Sequence, residues 1–115
     1  MALTEFDEKK VKILMEELLS RRRPPKHLRN KVDLAYRVKG QSVELFEIRD
    51  KWDHPGEKKE SKIAKATFVK TKREWKVFWQ KADSKWHRYK PSPTVSDIAE
   101  FIEIVEKDEH CCFWG

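Results

Sequence analysis

The sequence has few cysteines and no long apolar segment. Its two cysteines, Cys111 and Cys112, are neighbours that pair with each other only through a strained ring, which excludes a disulfide framework. Its apolar runs, such as Ile13 to Met15, are far shorter than the roughly 20 residues of a membrane span. The start MALTEFDEKK lacks the apolar stretch of a signal peptide. We therefore expect a cytoplasmic protein that does not contact membranes.

Metal-binding and catalytic motifs are also lacking. A structural zinc site takes its ligands in spaced pairs, and here the one cluster is His110-Cys111-Cys112. The other histidines are scattered singly, and no serine, cysteine or lysine motif stands beside a matching base. We expect no metal, no cofactor and no enzymatic activity.

The composition is that of a globular domain. Of the 115 residues, 40% are charged, 38% are apolar and 11% are aromatic. A chain of this length buries roughly two thirds of its unfolded surface, which is enough for one core. We therefore expect a single domain over residues 1–115.

The net charge of +6 is unevenly distributed. Residues 21–31 carry six Lys and Arg and no carboxylate, and residues 58–90 carry twelve Lys and Arg against three carboxylates. The segments before, between and after these two basic blocks are acidic.

Apolar spacing predicts two helices. The first runs from Thr4, a plausible N-cap with Asp7 as its capping-box partner, to about Ser20, before Pro24-Pro25 stops it. The second runs from about Ser96 to Lys107. Both carry an apolar stripe at spacings of three and four, formed by Val11, Leu14 and Leu18 in the first helix and by Ile98, Phe101, Ile102 and Val105 in the second.

Alternation with period two predicts five strands between the helices, over residues 32–39, 42–52, 62–70, 74–82 and 85–89. The apolar pattern of the second strand changes phase near Phe46, which indicates a bulge or a strand apolar on both faces. Residues 53–61 have the composition of a loop. Because the connections are short, the strands must be mostly antiparallel. The predicted fold is α+β, with an N-terminal helix, a five-stranded mostly antiparallel sheet, a C-terminal helix and a docked aromatic tail, and with both helices on one face of the sheet.

Several aromatic-rich strings resemble a bacterial family of short proteins classed as a domain of unknown function. The strings are VELFE (43–47), AKATF (64–68), WKVFW (75–79), KWHRY (85–89) and the ending FWG (113–115). The resemblance runs from about Val32 to the C-terminus and implies no activity. The chain departs from the family pattern at Arg49-Asp50, where Arg-Pro is expected, and at Cys111, where Gly is expected. The second departure lies in the turn after the last helix, where cysteine lacks the conformational freedom of glycine.

The basic aromatic block 58–90 is the first candidate site. Lys and Arg neutralise phosphates, and aromatic faces on a sheet stack unpaired bases, so nucleic acid is the natural partner. Strand alternation alone would also place Trp75, Val77 and Trp79 in a core, with exposed lysines guarding the outer strands. Phe78 points away from that core. The second sheet face is therefore either covered by the tail or a partner, or is a binding surface.

The arginine block at residues 21–31 is the second candidate, as a phosphate-contacting arm. The alternative is a helix C-terminus with favourable cations and a polar connector. Across both blocks, the residues that we expect to contact phosphates are Arg21, Arg22, Arg23, Lys65, Lys70, Lys72, Arg73, Lys76 and Lys85.

Two other functions remain open. Glu16-Glu17, Asp33, Glu47 and Arg49 resemble in outline the acidic motif of Mg²⁺-dependent nucleases, although arginine cannot serve as the base that lysine provides. The aromatic tail Phe113-Trp114 suggests self-association or another protein interaction, because it docks either on its own sheet or on that of a second copy, forming a homodimer.

Overall fold

The computed structural model of the protein describes residues 3–51, 53–81 and 83–114. Along the chain, a helix precedes six strands and a second helix follows them. The bounds are α1 Glu5–Arg22, β1 Val32–Lys39, β2 Ser42–Lys51, β3 His54–Val69, β4 Glu74–Gln80, β5 Trp86–Arg88, β6 Thr94–Val95 and α2 Ile98–Lys107. A single 3₁₀ turn at Lys26–Leu28 leads from α1 to β1.

The strands form one antiparallel sheet in the order β1-β2-β3-β4-β5, with the two-residue β6 paired to β4. This confirms the predicted α+β class and adds a sixth, short strand. Within the described ranges, neither helix is both long and apolar enough to cross a bilayer.

Both helices pack on the same face of the sheet, as expected from their apolar stripes. Val11, Met15 and Leu18 of α1 and the buried stripe of α2 join one core cluster with the inward-facing strand residues. Thr4 caps α1 as predicted, accepting a hydrogen bond from the Asp7 N–H at 3.1 Å. We call the sheet face that lies against the helices the inner face and the other the open face.

The prediction of a loop over residues 53–61 is wrong, because β3 begins at His54. Its first half pairs with the end of β2, where the Lys58 ammonium lies 2.5 Å from the Asp50 carboxylate across the strands. Gly56 has φ of 97° and allows an irregular register near the start of β3. α2 begins later than predicted, at Ile98. The predicted strand ends Trp52 and Ala82 and the terminal residue Gly115 lie outside the described residues.

The change of phase in the sequence corresponds to a bulge in β3. Phe46 lies opposite Lys62, whereas the preceding residue of β2 lies opposite Ala64, so Ile63 is the inserted residue. Ile63 and Ala64 are both buried in the core. The insertion therefore places Lys62 and Lys65 on the same, open face, and β2 itself is apolar on both faces.

The C-terminal aromatic segment docks on the core of its own chain. The ring centroid of the buried Phe113 lies 5.0 Å from that of Tyr89. Asp108, at the end of α2, accepts hydrogen bonds from the N–H groups of Phe113 at 3.1 Å and Trp114 at 2.9 Å. The Trp114 indole N–H donates to the Val105 carbonyl at 2.7 Å. The docked tail is confirmed, while its exchange with a second copy stays a prediction.

The turn between α2 and the tail uses left-handed backbone at two residues, Asp108 with φ of 42° and Cys111 with φ of 54°. Short polar side chains such as that of aspartate tolerate this region, whereas most others cost about 1 to 2 kcal/mol there. The glycine that the family resemblance places at position 111 would adopt this conformation without strain. Cys111 therefore stands where the backbone favours glycine.

Replacing Asp108 with alanine should release the tail. Asp108→Ala removes the acceptor of both tail N–H groups, so we expect the free energy of unfolding to fall by about 1 to 3 kcal/mol. Asp108→Asn keeps an acceptor for one of the two N–H groups and tolerates the left-handed backbone, so its loss should be smaller. Urea denaturation of the two variants measures the difference. Equal losses would show that the side-chain acceptor does not hold the tail.

Candidate nucleic-acid interface

A row of charged and aromatic side chains crosses the open face from one edge strand to the other. The strand register places its members directly opposite one another on five adjacent strands. Directly opposed residues of antiparallel strands share a face, so all five side chains lie on the same side of the sheet. In strand order from β1 to β5 they are Arg37, Glu44, Lys65, Phe78 and Arg88.

Cations and aromatic rings are interleaved at the β3–β5 end of this row. The Lys65 ammonium lies 4.8 Å from the ring centroid of Phe78 and 4.9 Å from that of Trp86. The Arg88 guanidinium carbon lies 5.7 Å from the Phe78 centroid on the next strand. Both rings are half-buried. We call these four residues, Lys65, Phe78, Trp86 and Arg88, the aromatic–cation cluster.

The cations at the β1–β2 end of the open face are paired with carboxylates. Glu44 lies 3.0 Å from the Lys62 ammonium and 3.8 Å from the Arg37 guanidinium, and Glu60 forms an ion pair with Arg37 as well. Phe46 lies under the same two cations, at 4.4 Å from Arg37 and 5.3 Å from Lys62. These cations therefore have carboxylate partners within the chain.

The cations at the β3–β5 end differ in this respect. Among the residues that the structure describes, no carboxylate lies within ion-pair distance of Lys65, Lys76 or Arg88. Lys76 lies on the same face as Phe78, two residues before it along β4. Burial lowers the pKa of Lys65, and Glu44 opposes this effect only in part. A bound anion would favour the charged form of Lys65.

The three consecutive arginines at the end of α1 each contact a different element. The Arg21 guanidinium lies 2.5 Å from Glu106 of α2, and that of Arg23 lies 2.7 Å from Asp33 of β1. The Arg22 guanidinium carbon lies 4.5 Å from the ring centroid of Trp114 in the tail. The predicted phosphate contacts Arg21, Arg22 and Arg23 therefore lie in the helical layer and bind elements of their own chain.

The remaining predicted contacts lie at two ends of the sheet. Lys70, Lys72 and Arg73 belong to the β3–β4 turn, and Lys85 to the β4–β5 turn, all of them exposed. Arg73 has φ of 51° and lines a cleft with Phe6 of α1, on the helical side. Of the nine predicted residues, the structure thus brings only Lys65 and Lys76 together on the open face.

Arg88 is a candidate that sequence reasoning missed. It follows His87 in a short, charged strand and belongs to no phosphate-binding motif. Alternation along β5 does indicate that Arg88 shares a face with Trp86. Its place beside Phe78 depends on the register of β4 with β5, which is not readable from composition or spacing.

The residues considered for a nuclease do not converge. Glu47 lies directly opposite Leu34, and Asp33 lies opposite Ile48, so the two carboxylates are on different faces of the sheet. Asp33 is bound by Arg23, and the Glu47 carboxylate lies 2.6 Å from the Arg49 guanidinium. Across the described residues, no group of three or more His, Cys, Asp or Glu is arranged to hold a metal ion.

The sequence matches one family along nearly its whole length. A family model described as "Domain of unknown function (DUF3024)" matches residues 3–115. The chain belongs to the DUF3024 family. Searches of curated proteins and of solved structures found no match. Membership in the DUF3024 family therefore assigns no activity.

The pair Arg23–Asp33 should contribute to stability in a pH-dependent way. The hydrogen bonds from Arg23 lower the pKa of Asp33, so the pair stabilises the fold at pH values above about 4, and this contribution is lost as the pH falls through the lowered pKa. Asp33→Asn keeps an acceptor for the Leu34 N–H and removes the charge. At pH 7 we expect it to lower the free energy of unfolding by about 0.5 to 1 kcal/mol.

Urea denaturation at several pH values tests this expectation. The difference between Asp33→Asn and the parent should become smaller as the pH is lowered from 7 to about 2.5. Asp50→Asn is the matched control, because its pair with Lys58 is more exposed and should contribute less. A difference for Asp33→Asn that is the same at pH 7 and pH 2.5 would show that the charge is not responsible.

Proposed function

We propose that this protein is a small nucleic-acid-binding module whose contact surface is the β3–β5 end of the open face. The observation that carries the proposal is the aromatic–cation cluster, where Lys65 and Arg88 lie over aromatic rings and have no carboxylate partner in the described residues. Phosphates are the natural counter-charges for such cations, and their contact releases condensed counterions.

The charge distribution supports the same surface. The basic surplus of residues 58–90 lies on β3, β4, β5 and the turns that join them. Lys76 continues the cluster along β4, while Lys70, Lys72, Arg73 and Lys85 add exposed positive charge at the ends of these strands. Arg21 and Arg23 are paired with the carboxylates of Glu106 and Asp33, so we assign them a supporting role in the fold. Arg22 contacts Trp114 in the helical layer, away from the open face.

Neutralising two cations of the cluster should weaken binding and flatten its salt dependence. Each phosphate contact contributes about 0.7 to 0.9 to the slope of log affinity against log salt. For Lys65→Gln combined with Arg88→Gln we therefore expect a slope shallower by about 1.4 to 1.8. Fluorescence anisotropy with short single- and double-stranded oligonucleotides, at about 50 and 200 mM salt, measures it.

The matched control removes the same charge from the helical layer. Lys9→Gln with Lys12→Gln changes two exposed lysines of α1, on the far side of the sheet, and should leave the slope unchanged. An equal effect of both double variants would reject the open face as the contact surface. Absence of salt-dependent binding by the parent protein would reject nucleic acid as the ligand.

A second candidate function is self-association through α1. Phe6 is 77% exposed and Ile13 is 58% exposed, and their spacing of seven residues places them on one side of the helix. The aromatic rings of the open face are covered by cations, so the barest large apolar side chains of the described chain lie on α1 instead. Such side chains suit an apolar contact with a second copy of the chain.

Sedimentation velocity distinguishes this candidate from nucleic-acid binding. An apolar dimer should persist at about 0.5 M salt, where phosphate contacts are lost. Phe6→Ser with Ile13→Ser should then convert the dimer to a monomer without altering oligonucleotide binding. A parent protein that is monomeric at about 100 µM would reject self-association.

A further inference from the structure

The guanidinium of Arg88 makes two contacts with its own chain. Its carbon lies 5.7 Å from the ring centroid of Phe78, and its Nη2 donates a hydrogen bond to the Pro93 carbonyl at 2.9 Å. The first contact is with a ring of the open face, and the second engages one terminal nitrogen of the group. Because Arg88 is exposed, its remaining surface is accessible to a ligand.

A planar cation of this kind is a stacking surface as well as a charge. The guanidinium is delocalised and weakly hydrated, and it stacks on other planar π-systems. Unpaired nucleobases stack on arginine planes as they do on aromatic rings. Because the contacts with Phe78 and Pro93 already restrict the side chain, less rotamer freedom is lost on binding than for a mobile arginine.

Lys65 lies within reach of the same ligand. Phe78 separates Lys65 from Arg88 in the row, and strands are about 4.8 Å apart, so the two backbones are roughly 10 Å apart. The Lys65 ammonium is held over Phe78 and Trp86. It is a compact point charge suited to a phosphate. Arg88 and Lys65 thus offer a planar site and a phosphate site side by side.

Resting on the proposed function, we propose that the ligand is single-stranded nucleic acid, bound with one unpaired base stacked on the Arg88 guanidinium and a neighbouring phosphate at Lys65. A base inside a duplex is covered by its neighbours on both sides and cannot present its face to the protein. Its phosphates remain available, so a duplex would use Lys65 but not the plane of Arg88.

The test compares two single-stranded probes that have equal numbers of phosphates. One is an oligomer of about 12 thymidines, and in the other every unit is abasic. We expect the parent protein to bind the thymidine oligomer about tenfold more tightly at the same salt concentration. Arg88→Lys keeps the charge and loses the plane, so it should reduce this preference to less than about twofold, with the salt dependence unchanged.

Arg29→Lys is the matched control. The Arg29 Nε also donates to a proline carbonyl, that of Pro24 at 2.8 Å, but it lies in the connector between α1 and β1, at the other edge of the sheet. This variant should keep the full preference for bases. Thermal unfolding confirms that both variants fold.

The outcomes separate this inference from the proposed function. Salt-dependent binding of equal strength to both probes would overturn base stacking and leave phosphate contact intact. A full preference for bases in Arg88→Lys would overturn the role of Arg88. Absence of salt-dependent binding to either probe would overturn this inference, and the proposed function would fall as well if double-stranded oligonucleotides of the same length also failed to bind.

Discussion

The packing of both helices on one face of the sheet leaves the other face in contact with water. α1 and α2 bury their apolar stripes against the inner face, and the tail closes the same core through Phe113. The uncovered face of such a sheet commonly carries polar side chains, because it is in contact with water. The chain nevertheless places Phe46, Phe78 and Trp86 on that side, and each of these rings has a lysine or arginine lying over it. The open face is therefore a layer of cations held on aromatic rings.

The two ends of that layer use their cations differently. Arg37 and Lys62 at the β1–β2 end form ion pairs with Glu44 and Glu60. Their positive charge is therefore balanced within the chain. A ring attracts a cation by roughly 0.5 to 1 kcal/mol at an exposed site but does not cancel its charge. Lys65 and Arg88 therefore keep their positive field while losing part of their mobility. This contrast between the two ends is the reason why we propose the β3–β5 end, and not the β1–β2 end, as the binding surface.

Periodicity, capping residues and short connections were sufficient to predict the helices and the antiparallel sheet, because these depend on local spacing. The docked tail was predicted from the aromatic side chains of Phe113 and Trp114. The first half of β3 was missed because its Pro, Gly and charged residues are typical of loops, whereas its pairing with β2 is a tertiary effect. The site was predicted less well. Charge is readable from the sequence, but Glu106, the partner of Arg21, is 85 residues away along the chain, and the register that places Arg88 beside Phe78 is set only in the folded sheet.

A basic surface that only keeps a protein soluble does not need fixed charges. Mobile lysines serve that purpose equally well, and immobilising a long side chain costs conformational entropy. In this chain the Lys65 ammonium contacts two rings, at 4.8 and 4.9 Å from their centroids, and Arg88 contacts a ring and the Pro93 carbonyl. Fixed positions matter when a ligand has a fixed spacing of its own, as a nucleotide has between its base and its phosphate. The restricted mobility of these two cations, more than the net charge of the chain, is what favours nucleic-acid binding over a merely solvated surface.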